Sequence, residues 1–245
     1  MDPVLEMLSK TTIPSPPLQA PVSLLVNCLP VLPLHRMKSI SLEAIDKMVE
    51  LLKDCISFYG TNYTSKTGEQ AEYLPLLFSF QRITKSEAEE AKTHLKQYFL
   101  PTDEDRKQVL GKGDSLPHKL LSMTDMSSGP EAELREVIMS IIFELSDKNP
   151  SQFVHNAGFG NAAGYLSAQG ISLESVQPDS DSARTMDHPV NPITGQRLDS
   201  EPNVVMPDMT DEEKEREAER LFVLFERFVY TRRQTFQRCL IRVLT

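Results

Sequence analysis

Apolar residues recur along this chain at the spacing of amphipathic helices, and signals for β-strands are nearly absent. The clearest pattern covers residues 131–147. Six apolar side chains follow the 3.6-residue period there at every step: Leu134, Val137, Ile138, Ile141, Ile142 and Leu145. Pro130 in the first turn and Lys148 at the end suit a helix and its dipole. The pattern therefore predicts an all-α fold.

Other segments carry helical signals of the same kind. The apolar run at 74–80 has a length that fits a helix or a strand, and its helical neighbours favour a helix. Residues 22–29 form another predicted helix, which prolines end. Cap residues predict further helix starts at Asp2, Ser41, Thr84 (with Glu87 as a capping box), Ser115 and Asn149.

Short helices of varying length, joined by short polar links, fit an armadillo/HEAT-like α-solenoid better than a closed helix bundle. We expect these repeats to occupy residues 1–170, although the sequence shows no strong internal repeat.

Composition limits the classes of partner. The formal net charge is −9, and non-specific nucleic-acid binding needs a basic surface, so nucleic acid is not an expected partner. No run reaches the roughly 18 apolar residues of a membrane span, and the first residues form no signal peptide. The widely spaced Cys28, Cys55 and Cys239 indicate free thiols in a reducing compartment. We expect a cytoplasmic monomer without a transmembrane segment.

A glycine-rich stretch at 153–170, FVHNAGFGNAAGYLSAQG, contains four of the ten glycines of the chain: Gly158, Gly160, Gly164 and Gly170. The spacing G-x-G-x-x-x-G is one residue longer than the dinucleotide-binding fingerprint, and no strand precedes it. A phosphate site is therefore disfavoured. The stretch predicts a tight turn between two helices, with Ala162, Ala163 and Gly164 permitting close packing.

The sequence changes character after residue 170. Residues 171–209 are rich in proline and poor in apolar residues, which predicts a largely disordered or extended strap. Thr210 and Glu213 then have the spacing of a capping box, and predict an amphipathic helix over 210–228. Residues 229–245 contain four arginines and no acid. This tail is either a basic helix for peripheral association with an anionic membrane surface, such as the plasma-membrane cortex, or an aberrant C-terminus.

Residue patterns for catalysis are missing from the sequence. The histidines are scattered without i, i+3 or i, i+4 pairs, and no cysteine lies near another, so we expect no metal site. The sequence contains no nucleophile elbow, P-loop or kinase motif. We expect no cofactor, no catalytic residue and no covalent or acid–base chemistry.

Four segments resemble one family, and they come in its order. The glycine stretch resembles the "GYGNAAG-L-A-A-GL" segment of the synembryn family, which is named for resistance to inhibitors of cholinesterase. Residues 74–106 resemble its late armadillo repeats, residues 191–195 (NPITG) its N-P-[VI]-T-G loop, and residues 209–227 the helix that follows.

This resemblance implies an armadillo/HEAT-like superhelix that binds the alpha subunit of heterotrimeric G proteins. The family acts as guanine-nucleotide exchange factor and as chaperone, and exchange works through differential affinity without bond chemistry. The resemblance also implies that the concave face receives the C-terminal helix of G alpha, while the helix after the repeats reaches its switch region.

Site residues are carried over only where the sequence matches the family. The implied G-alpha-binding residues are Met209, Leu221, Phe222, Leu224 and Phe225, and docking of this apolar face on the chain's own repeats is the alternative. The implied structural residues are Gly158, Gly160, Asn161, Gly164, Gly170, Asn191, Pro192 and Gly195.

The resemblance corresponds to the C-terminal half of the family and stops after Arg227. We therefore expect a truncated or short form. Because half of the groove would then be missing, a helical-repeat adaptor without exchange activity is the alternative function.

Overall fold

The computed structural model describes residues 3–60, 73–124, 131–171, 189–191, 193–201 and a few residues between 210 and 220. The chain divides into two compact units, Met1–Glu201 and Pro202–Thr245. In its described residues the first unit consists of α-helices, short 3-10 turns and loops, with a single isolated β-bridge between Val190 and Arg197 and no β-strand. The predicted all-α fold is confirmed. The solenoid arrangement of the helices stays a prediction.

The helices of the first unit are short, as their sequence patterns predict. They are Pro3–Lys10 (α1), Val22–Cys28 (α2), Leu42–Tyr59 (α3), Leu74–Thr84 (α4), Glu89–Phe99 (α5), Leu116–Ser122 (α6), Glu131–Leu145 (α7), Pro150–Ala157 (α8) and Phe159–Ala168 (α9). Short 3-10 turns occupy Leu29–Val31, Leu34–Arg36, Asp105–Lys107 and Leu198–Ser200. The apolar run at 74–80 is a helix, as its neighbours indicated.

The hydrophobic core is built by helix-on-helix packing. Helix α4 packs on α7, α3 packs on α1 and α5, and α7 also contacts α5 and α8. Phe80 of α4 and Phe99 of α5 are almost completely buried and meet edge to face, with ring centroids 5.0 Å apart. Full burial of side chains this large contributes about 1.5–3 kcal/mol each. The apolar stripe of each helix therefore faces a neighbouring helix.

Two predicted helix ends are wrong. The proposed capping box at Thr84 and Glu87 is absent, because α4 continues through Ile83 and Thr84 to keep both buried, and the Thr84 hydroxyl donates to Gln81 O at 2.9 Å. Helix α5 begins only at Glu89. Helix α7 ends at Leu145, two residues early, because Asp147 and Lys148 both have φ of 55° and cannot continue a right-handed helix.

The cap predictions have mixed outcomes. Asn149 caps α8 as predicted, since its side-chain oxygen accepts from the backbone N–H of Ser151 and Gln152 at 2.9 and 3.2 Å. Ser41 and Ser115 do precede α3 and α6, but their side chains make no capping hydrogen bond.

The second unit shows one predicted feature in its described residues. Thr210 N–H donates to Glu213 Oε2 at 3.0 Å, and Glu213 N–H donates to Thr210 Oγ1 at 3.3 Å, which is the predicted capping box. Among the described residues of both units, no helix combines the length and the apolar character that a membrane span needs. Within the described residues, neither Cys28 nor Cys55 is part of a disulfide, and Cys239 lies outside them.

Candidate functional site

The glycine stretch forms the turn between α8 and α9. Gly158 ends α8 and begins α9 with φ of +77°, and its N–H donates to Val154 O at 2.8 Å. An L-residue is strained at this φ, so the turn itself requires glycine. A Cβ on Gly158 would also lie only 3.0 Å from Ile193 O. The tight turn that the sequence predicts is therefore present, and it lies against residue 193, far along the chain.

The other residues of the predicted glycine motif have different surroundings. Gly160 and Gly164 lie inside α9, and only Gly164 has a close neighbour, the Arg135 guanidinium. Gly170 follows α9 with φ of +71°. The Asn161 side-chain amide donates to Ala157 O at 3.1 Å, across the turn. Of the three residues expected to permit close packing, Ala162 is completely buried, and Gly164 lies beside Arg135.

Residues 189–201, which we call the return loop, contain the second family motif. Asn191 Oδ1 accepts from Ile193 N–H at 2.9 Å, and Gly195 N–H donates to Asn191 O at 2.8 Å, which closes a tight turn. Gly195 has φ of +68°. A Cβ on it would lie 2.3 Å from Leu110 Cδ1. Pro192 of the same motif lies outside the described residues.

The return loop is bound to the segment between α5 and α6. Arg197 N–H donates to Arg106 O at 2.7 Å, and Leu110 N–H donates to Thr194 O at 3.1 Å. The Gln196 side-chain amide donates to Lys107 O at 3.1 Å. These bonds connect the loop to residues 106–110, which are almost 90 positions earlier in the chain.

Arg106 joins the two motifs. Its side chain is only 2% exposed. The guanidinium donates to His155 O at 2.7 Å, to His155 Nδ1 at 2.9 Å and to Asn156 Oδ1 at 3.1 Å in α8, and makes a longer 3.4 Å contact with Gly195 O in the return loop. We call Arg106, His155, Asn156 and Gly195 the Arg106 node. A planar guanidinium with five N–H donors can serve several acceptors at once, which a lysine cannot.

Burial lowers the pKa of two side chains in this node. Desolvation lowers the pKa of Arg106 to about 10, so the guanidinium stays charged at neutral pH. Desolvation first, and then the nearby Arg106 charge, lower the pKa of His155 to about 4. The imidazole is therefore neutral at pH 7, and its Nδ1 is the acceptor that Arg106 needs.

The sequence gives little sign of Arg106, because it lies in the charged run Asp103, Glu104, Asp105, Arg106, Lys107, which has the composition of a solvated surface. A neighbouring histidine helps to fold this segment inward. His118 is buried, and its Nδ1 accepts from Gly111 N–H and Gly113 N–H, both at 3.0 Å. Its Nε2 therefore carries the proton and donates to Asp105 O at 2.9 Å.

The described residues offer no arrangement for bond chemistry. No group of three metal-ligating side chains comes together among them. A second titratable cluster lies between α3 and α5, where Asp46 Oδ1 is 2.6 Å from His94 Nε2 and 2.9 Å from Tyr98 Oη. These contacts connect the two helices. The Arg106 node likewise positions backbone segments.

We expect acid to weaken this node through His155. The unfolded histidine titrates near its ordinary pKa of 6.5 and the folded one near 4, so between these values the unfolded state binds the extra proton. The stability that the neutral ring contributes is complete above pH 6.5 and is lost as the pH falls toward 4. The loss is at most about 1.4 kcal/mol per pH unit, reduced by solvent screening of the partly exposed ring.

Urea unfolding at pH 7, 6 and 5 measures this loss. The control is His155→Gln, whose side-chain oxygen can accept from Arg106 without titrating. The wild type should lose more stability than the variant across this range, and equal slopes would contradict the assignment to His155.

The predicted G-alpha-binding residues Met209, Leu221, Phe222, Leu224 and Phe225 all lie outside the described residues. The structure thus places the predicted structural motifs together at the Arg106 node and gives no position for the predicted binding face.

Comparison with known proteins identifies the family. The family model Ric8, described as guanine nucleotide exchange factor synembryn, matches residues 1–232. The chain is 28% identical over 223 residues to the chaperone Ric-8A of Danio rerio, covering 86% of this chain and 39% of that protein. It is 28% identical to chaperone Ric-8A of Xenopus tropicalis, covering 84% of this chain and 40% of that protein.

A shorter alignment with chaperone Ric-8A of Mus musculus is 31% identical over 147 residues, and covers 56% of this chain and 27% of that protein. The chain thus spans about two fifths of the length of the Danio and Xenopus relatives. The family match covers nearly the whole chain, and it includes both motifs that meet at Arg106. The chain belongs to the Ric8 (synembryn) family.

Proposed function

We propose that this chain binds the alpha subunit of heterotrimeric G proteins, promotes release of its GDP and assists its folding. The family match over residues 1–232 carries this proposal. The relatives named chaperone Ric-8A support the folding role.

Exchange of this kind needs no catalytic residue. A protein that binds nucleotide-poor G alpha more tightly than GDP-bound G alpha shifts the equilibrium toward GDP release by that difference in affinity. A tenfold difference in affinity corresponds to about 1.4 kcal/mol. The proposed partner is therefore recognised by a surface, which fits a helical protein whose described residues offer no catalytic constellation.

The proposed function comes with a proposed division of the chain into four segments. We propose helical repeats at 1–170, a strap at 171–209, a clasping helix at 210–228 and a basic tail at 229–245, in a cytoplasmic monomer. The return loop anchors part of this strap to the helical unit. The capping box of Thr210 and Glu213 supports a helix that starts at this point.

The direct test is release of a fluorescent GDP analogue from purified G alpha. We expect release to accelerate with increasing concentration of the full chain and to saturate. A companion assay measures trypsin-resistant G alpha after cell-free synthesis with and without the chain. Binding without faster release would reduce the function to that of an adaptor.

Truncating two aromatic side chains tests the proposed clasping helix. We expect Phe222→Ala together with Phe225→Ala to weaken G alpha binding by at least about tenfold, since buried aromatic anchors dominate interface energies. Binding is measured by biolayer interferometry, and circular dichroism checks that helicity is kept.

A matched control removes two aromatic rings from another place. Phe58 and Tyr59 form an exposed edge-to-face pair at the end of α3, with 56% and 36% exposure. Phe58→Ala with Tyr59→Ala should leave affinity unchanged. If the two double variants bind G alpha equally well, Phe222 and Phe225 are not anchors for it.

A further inference from the structure

We propose that Thr102 is a phosphorylation site for an acidophilic protein kinase, and that the added phosphate opens the turn that carries Arg106. Three acidic residues follow Thr102 directly, in the sequence Thr-Asp-Glu-Asp at 102–105. Kinases of this class have a basic substrate cleft, and they recognise a serine or threonine through the carboxylates that follow it, above all at the third position. This proposal is independent of the proposed binding of G alpha.

The structure presents Thr102 to solvent in the loop after α5. The side chains of Thr102, Asp103 and Glu104 are all exposed. No α-helix has to unfold for a kinase to bind this loop, since α5 ends at Phe99 and the next 3-10 turn begins at Asp105. Exposure of the acceptor hydroxyl is a property that the sequence motif alone does not supply.

Ser86 carries the same sequence motif and differs in its burial. Glu87 and Glu89 follow it at the first and third positions. Its side chain is only 4% exposed, and its hydroxyl donates to Ile83 O at 2.7 Å and accepts from Ala88 N–H at 3.1 Å. A kinase cannot reach this hydroxyl while the α4–α5 turn is folded. The chain therefore contains an exposed and a buried copy of the motif, and the buried copy is an internal control.

The hydroxyl of Thr102 holds its turn closed. Thr102 N–H and Thr102 Oγ1 both donate to Asp105 Oδ2 at 2.8 Å, and Asp105 N–H donates to Thr102 Oγ1 at 3.3 Å. This is the arrangement of a capping box. Arg106 N–H donates to Thr102 O at 3.1 Å, so the turn leads directly into the Arg106 node.

Phosphorylation removes a donor from this turn and adds negative charge in its place. Thr102 Oγ1 forms a bond to the γ-phosphorus of ATP, the bond from that phosphorus to ADP breaks, and the hydroxyl proton passes to the base of the kinase. The phosphate has a charge of about −1.5 to −2 at neutral pH. It faces the Asp105 carboxylate, to which the hydroxyl had donated, and like charges repel at this short distance.

The cations near this turn already have acidic partners. Lys107 pairs with Glu104 at 2.7 Å, and the Arg197 guanidinium pairs with Asp199. The phosphate therefore opens the capping box instead of closing it more tightly. Arg106 O accepts from Arg197 N–H at 2.7 Å, so the opening should reach the return loop as well.

The first test asks whether the site is used. The full-length chain is treated with purified casein kinase 2 and ATP, and peptide mass spectrometry distinguishes Thr102 from Thr210 and its similar sequence. We expect phosphate on Thr102 and none on Ser86. Thr102→Ser should keep the site, and Thr102→Val should abolish it. If Thr102 stays unmodified while casein in the same mixture is phosphorylated, the assignment is wrong, and phosphate on Ser86 would contradict the argument from burial.

The second test asks whether the phosphate opens the turn. Hydrogen exchange compares the phosphorylated chain with the untreated chain and with Thr102→Val, which removes the hydroxyl without adding charge. We expect the amides of Asp105, Arg106 and Arg197 to exchange at least about fivefold faster after phosphorylation, which is the usual effect of losing a cap, while α3 and α4 stay protected. Thr102→Val should show a smaller increase. Unchanged exchange would overturn the opening, and slower exchange would mean that the phosphate binds Lys107 or Arg197 and closes the turn.

Discussion

Gly195→Ala should detach the return loop from the helical unit. Two effects add at this position. The φ of +68° strains any L-residue by about 1–2 kcal/mol, and the new Cβ would lie 2.3 Å from Leu110 Cδ1 and 2.8 Å from Leu110 Cγ. Leu110 cannot move away freely, because it is 7% exposed and its N–H is bonded to Thr194 O. Overpacking of this kind costs about 1–3 kcal/mol, so the total is about 2–5 kcal/mol.

We expect the effect of Gly195→Ala to be confined to the return loop. A loop held by a few hydrogen bonds would leave its place before it transmitted so large a strain to the core. Hydrogen exchange should therefore rise at the amides of Asn191, Gly195 and Arg197, each of which donates a backbone hydrogen bond in the native loop.

Two glycine controls separate the two effects. Gly170 has a similar φ of +71°, but nothing lies within 4 Å of its Cβ position, so Gly170→Ala carries the backbone strain alone. Gly160 has open space at its Cβ position inside α9, and Gly160→Ala should stabilise by about 0.5–1 kcal/mol. If Gly195→Ala resembled Gly170→Ala, the contact with Leu110 would carry no strain.

Local sequence patterns predict the helices well. Each helix buries one stripe of apolar side chains, and these side chains recur in the sequence at the helical period. The pattern at Leu134, Val137 and Ile138 describes α7 from its start, and all three side chains are buried. Its end is less predictable. The apolar period runs to Leu145 and the polar residues beyond it fit a helix or a turn equally, so the positive φ of Asp147 and Lys148 leaves no sign in the pattern.

Local sequence patterns cannot predict the Arg106 node, because its contacts join residues that are distant in sequence. Arg106 contacts residues 49, 50 and 89 positions away, in α8 and in the return loop. Its neighbours in the sequence are charged and mostly exposed, which is the composition of a surface helix. Family resemblance singles out Gly158 and Gly195, but only the structure shows that their two motifs meet, where Gly158 lies against Ile193 O. A glycine motif near a polar proline motif indicates two turns and says nothing of their contact.

Phe153→Ala should be among the most destabilising single substitutions in the glycine stretch. Phe153 of α8 is 0% exposed, and its ring lies 5.3 Å from that of Phe143 and 5.6 Å from that of Tyr165, in edge-to-face geometry. Through these three rings, α7, α8 and α9 pack against one another. Removing a buried phenylalanine costs about 3–5 kcal/mol through lost transfer energy and the cavity left behind. Edge-to-face pairs add about 0.5–1.5 kcal/mol.

The control substitution, Phe159→Ala, lies in the same glycine stretch. Phe159, at the start of α9, is 39% exposed and takes part in no ring pair within the described part of the chain, so Phe159→Ala should change stability by less than about 1 kcal/mol. Thermal unfolding should show Phe153→Ala melting on the order of 10 °C below the wild type. Because α8 also supplies His155 and Asn156 to Arg106, the return loop should lose its exchange protection in the same variant. A lower melting temperature with a fully protected loop would mean that the Arg106 node holds α8 in place without the aromatic cluster.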